Sequence, residues 1–325
     1  MSNSNKLKVL ITHPEVASKA LDILKQKFDL TISKGYPFPS RNQILNDIKG
    51  ASGVLWAVCH KFDQEMIDAA GPNLKVVSTK SAGYDHINVP LLKSLSILCS
   101  NTPGVVSNPT AEIAVALLLA TSRRLQEGYQ AIIRGQWEVG RIQWMLGQSL
   151  ENSTVGIVGL GGIGCSVAKK LRGFDVKRIL YSGHNEKPAG KSLECEFVSQ
   201  DYLLQESDFI IISCTFTKET KHLFNRETFK KMKPSSILIN VSRGGVVDQE
   251  ALIEALINKT IWGAGLDVMT PEPLPHDHPL TKLPNCVLAP HLGTATERAE
   301  ENMAVLAAQN IYNALNNLPL LTPIL

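Results

Sequence analysis

Short apolar runs rich in β-branched residues alternate along this chain with longer stretches whose apolar residues recur at helical spacing. Strand-like runs at Lys8–Thr12, Gly53–Val58, Lys75–Ser78 and Ser96–Ser100 alternate with helical runs at Val16–Phe28, Arg41–Ile48 and Gln64–Ala70. Leu21, Ile23, Leu24 and Phe28 mark the apolar face of the first helix. Short strands joined by crossover helices predict a small parallel α/β domain. Asn101-Thr102-Pro103-Gly104 is turn chemistry and predicts a domain crossing. Asn108 then suits an N-cap and Pro109 the first helical position of an alanine- and leucine-rich helix, Thr110–Ser122. So apolar a helix predicts burial between domains or at a subunit contact. Residues 125–150 show little periodicity, and Trp137 and Trp144 fit either an arm on a partner subunit or core.

The pattern resumes at Thr154–Leu171, which reads TVGIVGLGGIGCSVAKKL. An apolar strand meets a glycine turn and then an amphipathic helix. Gly159, Gly161 and Gly164 have the GxGxxG spacing: one for the turn, one for close approach of a pyrophosphate, one for packing helix on strand. The helix N-terminus offers unpaired N–H groups and a positive dipole end. A bare GxGxxG is often just a loop; the strand before it and the helix after it make this a dinucleotide site. Strands follow at Arg178–Tyr181, Asp208–Cys214, Ser236–Val241, Gly263–Val268 and Asn285–Ala289, with a helix at Gln249–Asn258. Their continuous apolar character fits a sheet covered on both faces. The last helix, Ala295–Leu315, is long enough to return to the first domain.

An NAD-preferring site places Asp or Glu at the end of the second strand, where it accepts from the ribose hydroxyls. Here the chain reads Tyr181-Ser182-Gly183-His184-Asn185-Glu186-Lys187. The expected place holds no carboxylate, and Ser182 and Gly183 with His184 and Lys187 nearby admit a 2′-phosphate. The reading is NADP(H) preferred, NAD(H) possible, with Glu186 facing solvent a turn later.

Arg243, Glu272 and His291 each fall at or just beyond a strand's carboxyl end. Reduction of a 2-keto acid needs a proton donor with a pKa near operating pH and a cation fork for the carboxylate. Histidine and arginine fit those needs, and a partnered carboxylate favours the imidazolium. Singly, each has a plain structural explanation; together, beyond a dinucleotide turn, they favour catalysis. Ser81-Ala82-Gly83-Tyr84-Asp85-His86 follows a strand where open sheets place ligands, so the Ala82-Gly83 backbone is either an anion contact or a tight loop.

Hydrophobic content of 44%, charged content of 19% and a net charge of +3 describe a globular protein and argue against nucleic-acid or membrane partners. Six scattered cysteines without a CxxC pair fit reduced thiols in a cytoplasmic setting. His276 and His278 lack a third ligand, so no metal is expected. The polar start MSNSNKLK and the end Pro323-Ile324-Leu325 show no signal peptide or peroxisomal tripeptide, and no apolar run is of membrane-spanning length.

GLGGIG, VSRGG at 241–245, LDVMTPEPLP at 266–275 and PHLGTAT at 290–296 together resemble the D-isomer-specific 2-hydroxyacid dehydrogenases over nearly the full length. STKSAGYDHI at 78–87 and LYSGHN at 180–185 are most similar to the glyoxylate reductase/hydroxypyruvate reductase branch. The resemblance implies two Rossmann-like or flavodoxin-like parallel-sheet domains. Residues 1–104 and 295–325 would bind substrate and 105–294 the dinucleotide, with a dimerisation arm at about 123–150 and a homodimer. It implies NADPH-dependent reduction of glyoxylate and hydroxypyruvate to glycolate and D-glycerate. His291 would be the proton donor paired with Glu272, and Arg243 would bind and polarise the substrate. Ala82 and Gly83 would hold the substrate carboxylate, and Leu292, Gly293 and Thr294 would complete the substrate site. Cofactor contacts would come from Gly159, Gly161, Gly162, Ile163, Gly164, Ser182, the loop His184, Asn185, Glu186, Lys187, and Thr215, Val241, Asp267 and Gly293. The resemblance also implies two departures: Gly162 stands where related reductases often have arginine, and Gly140 where some relatives in this branch place a tryptophan that reaches the neighbouring active site. The alternatives are an NAD-linked relative of D-lactate or 3-phosphoglycerate type and a dinucleotide-sensing corepressor-like binding protein. The chain lacks the regulatory C-terminal extension common in phosphoglycerate dehydrogenases, and it has neither the long disordered tail nor the basic patch that would favour the corepressor.

Overall fold

Two parallel sheets organise the chain. A computed structural model describes residues 6–324; residues 1–5 and Leu325, on which part of the terminal reading rests, lie outside the described residues. One unit comprises the chain up to Val106 together with the stretch from Thr296 onward; the other is Ser107–Ala295.

The first unit has strands β1 (Lys8–Ile11), β2 (Asp29–Ile32), β3 (Gly53–Trp56), β4 (Val76–Thr79) and β5 (Leu98–Ser100), all parallel, in the order β2-β1-β3-β4-β5. That is the flavodoxin-like order. Period-two alternation divides the core. Leu10, Val54, Trp56 and Val77 pack on one face with Ile44, Ile48 and Met66, while Val9, Ile11, Leu55 and Val76 pack on the other with Leu24. The helix Glu297–Leu315 covers that second face with Ala304, Ala307, Ala308 and Ile311, so the end of the chain completes the unit that the start began. Small residues let this helix lie close: a Cβ on Gly53 would come within 2.9 Å of Ile311. Two elements escape the sequence pattern, the edge strand β2 and the helix Val89–Ser94. β2 has no fully buried residue, so it carries no apolar run to read.

The second unit has β6 (Thr154–Val158), β7 (Arg178–Ser182), β8 (Glu196–Phe197), β9 (Phe209–Ile212), β10 (Ile237–Asn240), β11 (Gly263–Leu266) and β12 (Cys286–Leu288). They form a parallel sheet in the order β12-β11-β10-β9-β6-β7-β8. Order reverses between β6 and β9, the crevice where doubly wound sheets bind dinucleotides. The alanine-rich helix begins at Ser107 and runs to Ser122, so Asn108 is not its cap and Pro109 lies inside its first turn. Proline is tolerated there because the first N–H groups of a helix have no intrahelical partner. The Asn108 side chain instead accepts a hydrogen bond from Ser166 Oγ at 2.7 Å, tying this helix to the one after the glycine turn. The buried face of Ser107–Ser122, with Ala111, Ala114, Leu117 and Leu118, packs into the core of its own unit around Val155, Ile157 and Ile211.

Candidate active site

The glycine turn does what its spacing requires. Gly159 has φ +94°, and a Cβ there would meet the Cys214 backbone at 2.7 Å. A Cβ on Gly164 would come within 2.4 Å of the Gly159 carbonyl, so this glycine lets the helix Gly162–Leu171 sit against β6. A Cβ on Gly161 would meet nothing within 4 Å: its open side faces the cleft, where a pyrophosphate needs bare backbone. At Gly162 a Cβ would come within 2.5 Å of Ser107 Oγ, so any larger residue there needs that hydroxyl to turn away.

A cleft of about 780 Å³ opens along the carboxyl ends of β6, β7 and β9. Of the residues expected to contact cofactor, Gly159, Gly161, Ser182, His184, Asn185, Lys187 and Thr215 line it. Gly162, Ile163, Gly164, Glu186, Val241, Asp267 and Gly293 are not in its lining, and Glu186 is exposed. The glycine cradle, the helix N-terminus and the absence of a carboxylate on the end of β7 fit a dinucleotide.

Among the lining residues that the sequence reading did not assign to the site, three bear on its chemistry. Gln200 accepts a hydrogen bond from Ser182 Oγ at 3.0 Å, while its buried Nε2 has no partner. Cys214 closes against the glycine turn, and burial pushes its thiol up to about 11, which keeps it protonated and unreactive. Glu219 brings a carboxylate to the cleft from the loop after β9; a hydrogen bond from Thr217 holds it below the usual range, and the charge of His184 adds to this. No local signal marks these positions, because a helix start and the segment after β9 meet only through the sheet.

The second cluster lies beyond β10, β11 and β12. His291 Nδ1 and Glu272 Oε2 are 2.8 Å apart, and the Met269 N–H donates to Glu272 Oε1 at 2.9 Å. His291 itself has φ +55°, uncommon for a residue with a Cβ. Its N–H donates to the Asp267 and Ala289 carbonyls, and the Asp267 carboxylate accepts from the N–H groups of Leu292 at 2.7 Å and Gly293 at 2.9 Å. Asp267 is buried, and both its oxygens are committed to this loop. Burial lifts its carboxyl above the ordinary range against the pull of those donors and of His291. The Thr110 hydroxyl closes the loop by donating to the Gly293 carbonyl at 3.2 Å. Thr294 is half-buried, and Leu292 is exposed.

Arg243 follows β10 in extended backbone, its carbonyl held by Asn240 Nδ2 at 3.0 Å and its own Nη1 donating to the Ser242 carbonyl at 2.9 Å. Its charge is felt at both other residues. The hydrogen bond to Glu272 raises the His291 pKa, against burial and the Arg243 charge, which lower it. Burial works to raise the Glu272 carboxyl, but the hydrogen bonds from His291 and Met269 and the charges of His291 and Arg243 together hold it below its usual value. The pair therefore favours imidazolium beside carboxylate, with the other ring nitrogen, Nε2, free to carry a proton toward a reacting atom. Ala82 and Gly83, in the first unit, lie in a half-buried loop past β4.

Glu272→Gln removes the carboxylate whose hydrogen bond does most to raise the His291 pKa. If His291 donates the proton in reduction, activity falls as pH rises through its pKa. The falling limb of the kcat/KM profile is therefore expected to move to lower pH in the variant. A pH–rate series on both proteins checks this; an unmoved limb refutes the coupling.

Residues 115–293 match the D-isomer specific 2-hydroxyacid dehydrogenase, NAD binding domain. The chain is 42% identical over 319 residues to the glyoxylate reductase/hydroxypyruvate reductase of Mus musculus, covering 97% of each chain. It is 43% identical over 304 residues to the glyoxylate reductase of Thermofilum pendens, covering 92% of this chain and 89% of that one. Among solved structures, an NADPH-dependent glyoxylate/hydroxypyruvate reductase from Sinorhizobium meliloti, in complex with NADP and malonate, is similar with a TM-score of 0.84 and 28% identity. That similarity covers 98% of this chain and 97% of the other. Among the described residues no group of side chains has the makings of a metal site, and no helix is long and apolar enough to cross a membrane.

Proposed function

Because this chain belongs to the D-isomer specific 2-hydroxyacid dehydrogenase family and is an NAD(P)-dependent oxidoreductase, we propose that it reduces glyoxylate and hydroxypyruvate to glycolate and D-glycerate with NADPH. The observation that carries the reading is the His291–Glu272 pair at 2.8 Å within the field of Arg243, in the same unit as the glycine cradle. When bound, the dinucleotide supplies the hydride. Arg243 presents its guanidinium fork to the keto acid's carboxylate and carbonyl oxygens, drawing electron density from the carbonyl carbon. His291 donates its Nε2 proton to the oxygen as alkoxide character develops, and Glu272 stabilises the imidazolium beforehand and orients the ring. Backbone of Ala82 and Gly83 holds the carboxylate, while Leu292, Gly293 and Thr294 flank the reacting end.

Preference for NADPH is supported by the end of β7, where Ser182, Gly183 and His184 leave room for a 2′-phosphate and Lys187 adds positive charge. Glu219 on the same cleft opposes it, because its charge repels a phosphate. Steady-state rates for a panel of 2-keto acids against both cofactors test the whole reading. Oxidation of NADPH by glyoxylate and hydroxypyruvate in preference to pyruvate is expected. No turnover with either acid sinks the assignment, and a strong preference for NADH overturns the cofactor part alone.

The same reading makes the protein a cytoplasmic homodimer. All six cysteines are free, as a reducing compartment requires. The helix Leu125–Ile133 has no buried residue, and Ile133, Trp137, Val139 and Ile142 are 60%, 64%, 90% and 88% exposed. Core is therefore not where Trp137 sits. An apolar surface of this extent fits a partner subunit. Ile142→Asp combined with Val139→Asp is expected to shift the protein from dimer to monomer in sedimentation velocity. A wild-type monomer at micromolar concentration refutes the arm's role.

A further inference from the structure

We infer that Asn101 and Ser81 are positioning residues that hold the Ala82–Gly83–Tyr84 loop open as a seat for a 2-keto acid's carboxylate. The inference rests on the proposed role of Ala82 and Gly83 and identifies the side chains that make the loop competent for it.

The loop leaves β4 with its carbonyls tied down. Asn101 Nδ2 donates to the Ala82 carbonyl at 2.7 Å, and Ser81 Oγ donates to the Gly83 carbonyl at 2.6 Å. In a trans peptide the carbonyl and the following N–H point in opposite directions. Drawing the Ala82 carbonyl toward Asn101 therefore turns the Gly83 N–H away from it, and drawing the Gly83 carbonyl toward Ser81 does the same for Tyr84. Among the described residues, no acceptor takes the N–H of Ala82, Gly83 or Tyr84. Successive unpaired N–H groups on a half-exposed loop form an anion-binding concavity, and a carboxylate supplies the acceptors they lack.

Hydrogen counting gives the tether a direction. Ser81 has one hydroxyl hydrogen and gives it to Gly83, so Thr79 Oγ1, 3.0 Å from Ser81 Oγ, must donate to Ser81. That uses the Thr79 hydrogen, so the Nε2 of His86, 3.0 Å from Thr79 Oγ1, carries the proton and donates. A chain of donors thus runs from His86 through Thr79 and Ser81 to the Gly83 carbonyl. Asn101 is fixed from the far end of the sequence. Thr322 Oγ1 donates to its carbonyl at 2.6 Å and in turn accepts from Nδ2 of Asn310 at 2.8 Å, a fully buried residue on the last helix. The return of the C-terminus to this unit, a fold feature, thereby sets the orientation of a loop more than two hundred positions earlier.

The test uses the enzyme saturated with NADPH and oxamate, a carboxylate-bearing analogue of a 2-keto acid. Asn101→Ala and Ser81→Ala are each expected to raise the oxamate Kd and the KM for glyoxylate by up to about 10-fold, the upper end of the effect of losing one neutral hydrogen bond. They should change kcat much less and leave NADPH affinity unaltered, while Ser81→Thr, which keeps the hydroxyl, restores oxamate binding. The Gly83 amide signal of 15N-glycine-labelled wild type should shift on adding oxamate. A Gly83 amide that does not respond removes the carboxylate seat itself, and the inference with it. A responsive amide, with both alanine variants binding oxamate as wild type does, overturns the positioning role and leaves the seat standing.

Discussion

His291→Ala is expected to lower kcat for keto-acid reduction by about 100- to 10,000-fold, the range over which a positioned general acid acts. Cofactor affinity should stay near the wild-type value, because His291 does not line the cleft where the dinucleotide would lie. The expectation follows from what removal leaves behind. Glu272 keeps the Met269 N–H but loses its imidazolium partner. The left-handed backbone at residue 291 adds a control. Alanine tolerates φ +55° poorly, so His291→Asn, which suits that conformation better, separates loss of the proton donor from loss of loop geometry. Both variants should be equally slow in presteady-state measurements of hydride transfer. Turnover within a small factor of wild type in the asparagine variant would show that the proton comes from elsewhere.

Arg243→Ala is expected to reduce kcat/KM by about 100- to 1,000-fold, comparable with removal of one preorganised donor from a developing oxyanion. Its pH signature distinguishes it from Glu272→Gln. The Arg243 charge lowers the pKa of His291, so deleting it lets the imidazolium persist to higher pH. The falling limb should then move upward, opposite to the shift expected for the glutamate variant. Arg243→Lys keeps most of that electrostatic effect but not the planar fork, so it should restore the limb's position more fully than the rate. A lysine variant with wild-type kcat/KM would mean that charge alone suffices.

Some of this site can be read off the chain because the relevant physics is local. Gly159 must be glycine to take φ +94°, and the strand before it and helix after it are encoded within a few residues. The missing carboxylate after β7 is legible for the same reason. The other cleft residues are not. Gln200, at the start of the helix Gln200–Glu206, and Glu219, in the loop after β9, reach the cleft only because of strand order, and nothing in their neighbours announces it. Asn108 shows the opposite failure. A good capping residue before a proline reads as a helix start, yet the helix begins at Ser107, two residues before Pro109, and Asn108 is engaged by Ser166 on a neighbouring helix.

By itself the sequence determined two parallel α/β units, the dinucleotide turn and a set of three polar side chains near strand ends, because periodicity, turn chemistry and residue type act over short range. Only the tertiary structure decided which groups interact. It set Glu272 2.8 Å from His291 across separate loops and aimed the Asp267 carboxylate at the backbone of the histidine loop. It also brought the Arg243 charge to bear on both members of the pair and anchored Asn101 to the far end of the chain. Hydrogen bonds and pKa shifts depend on separations of a few ångströms between residues distant in sequence, and those separations are fixed by strand order and helix packing.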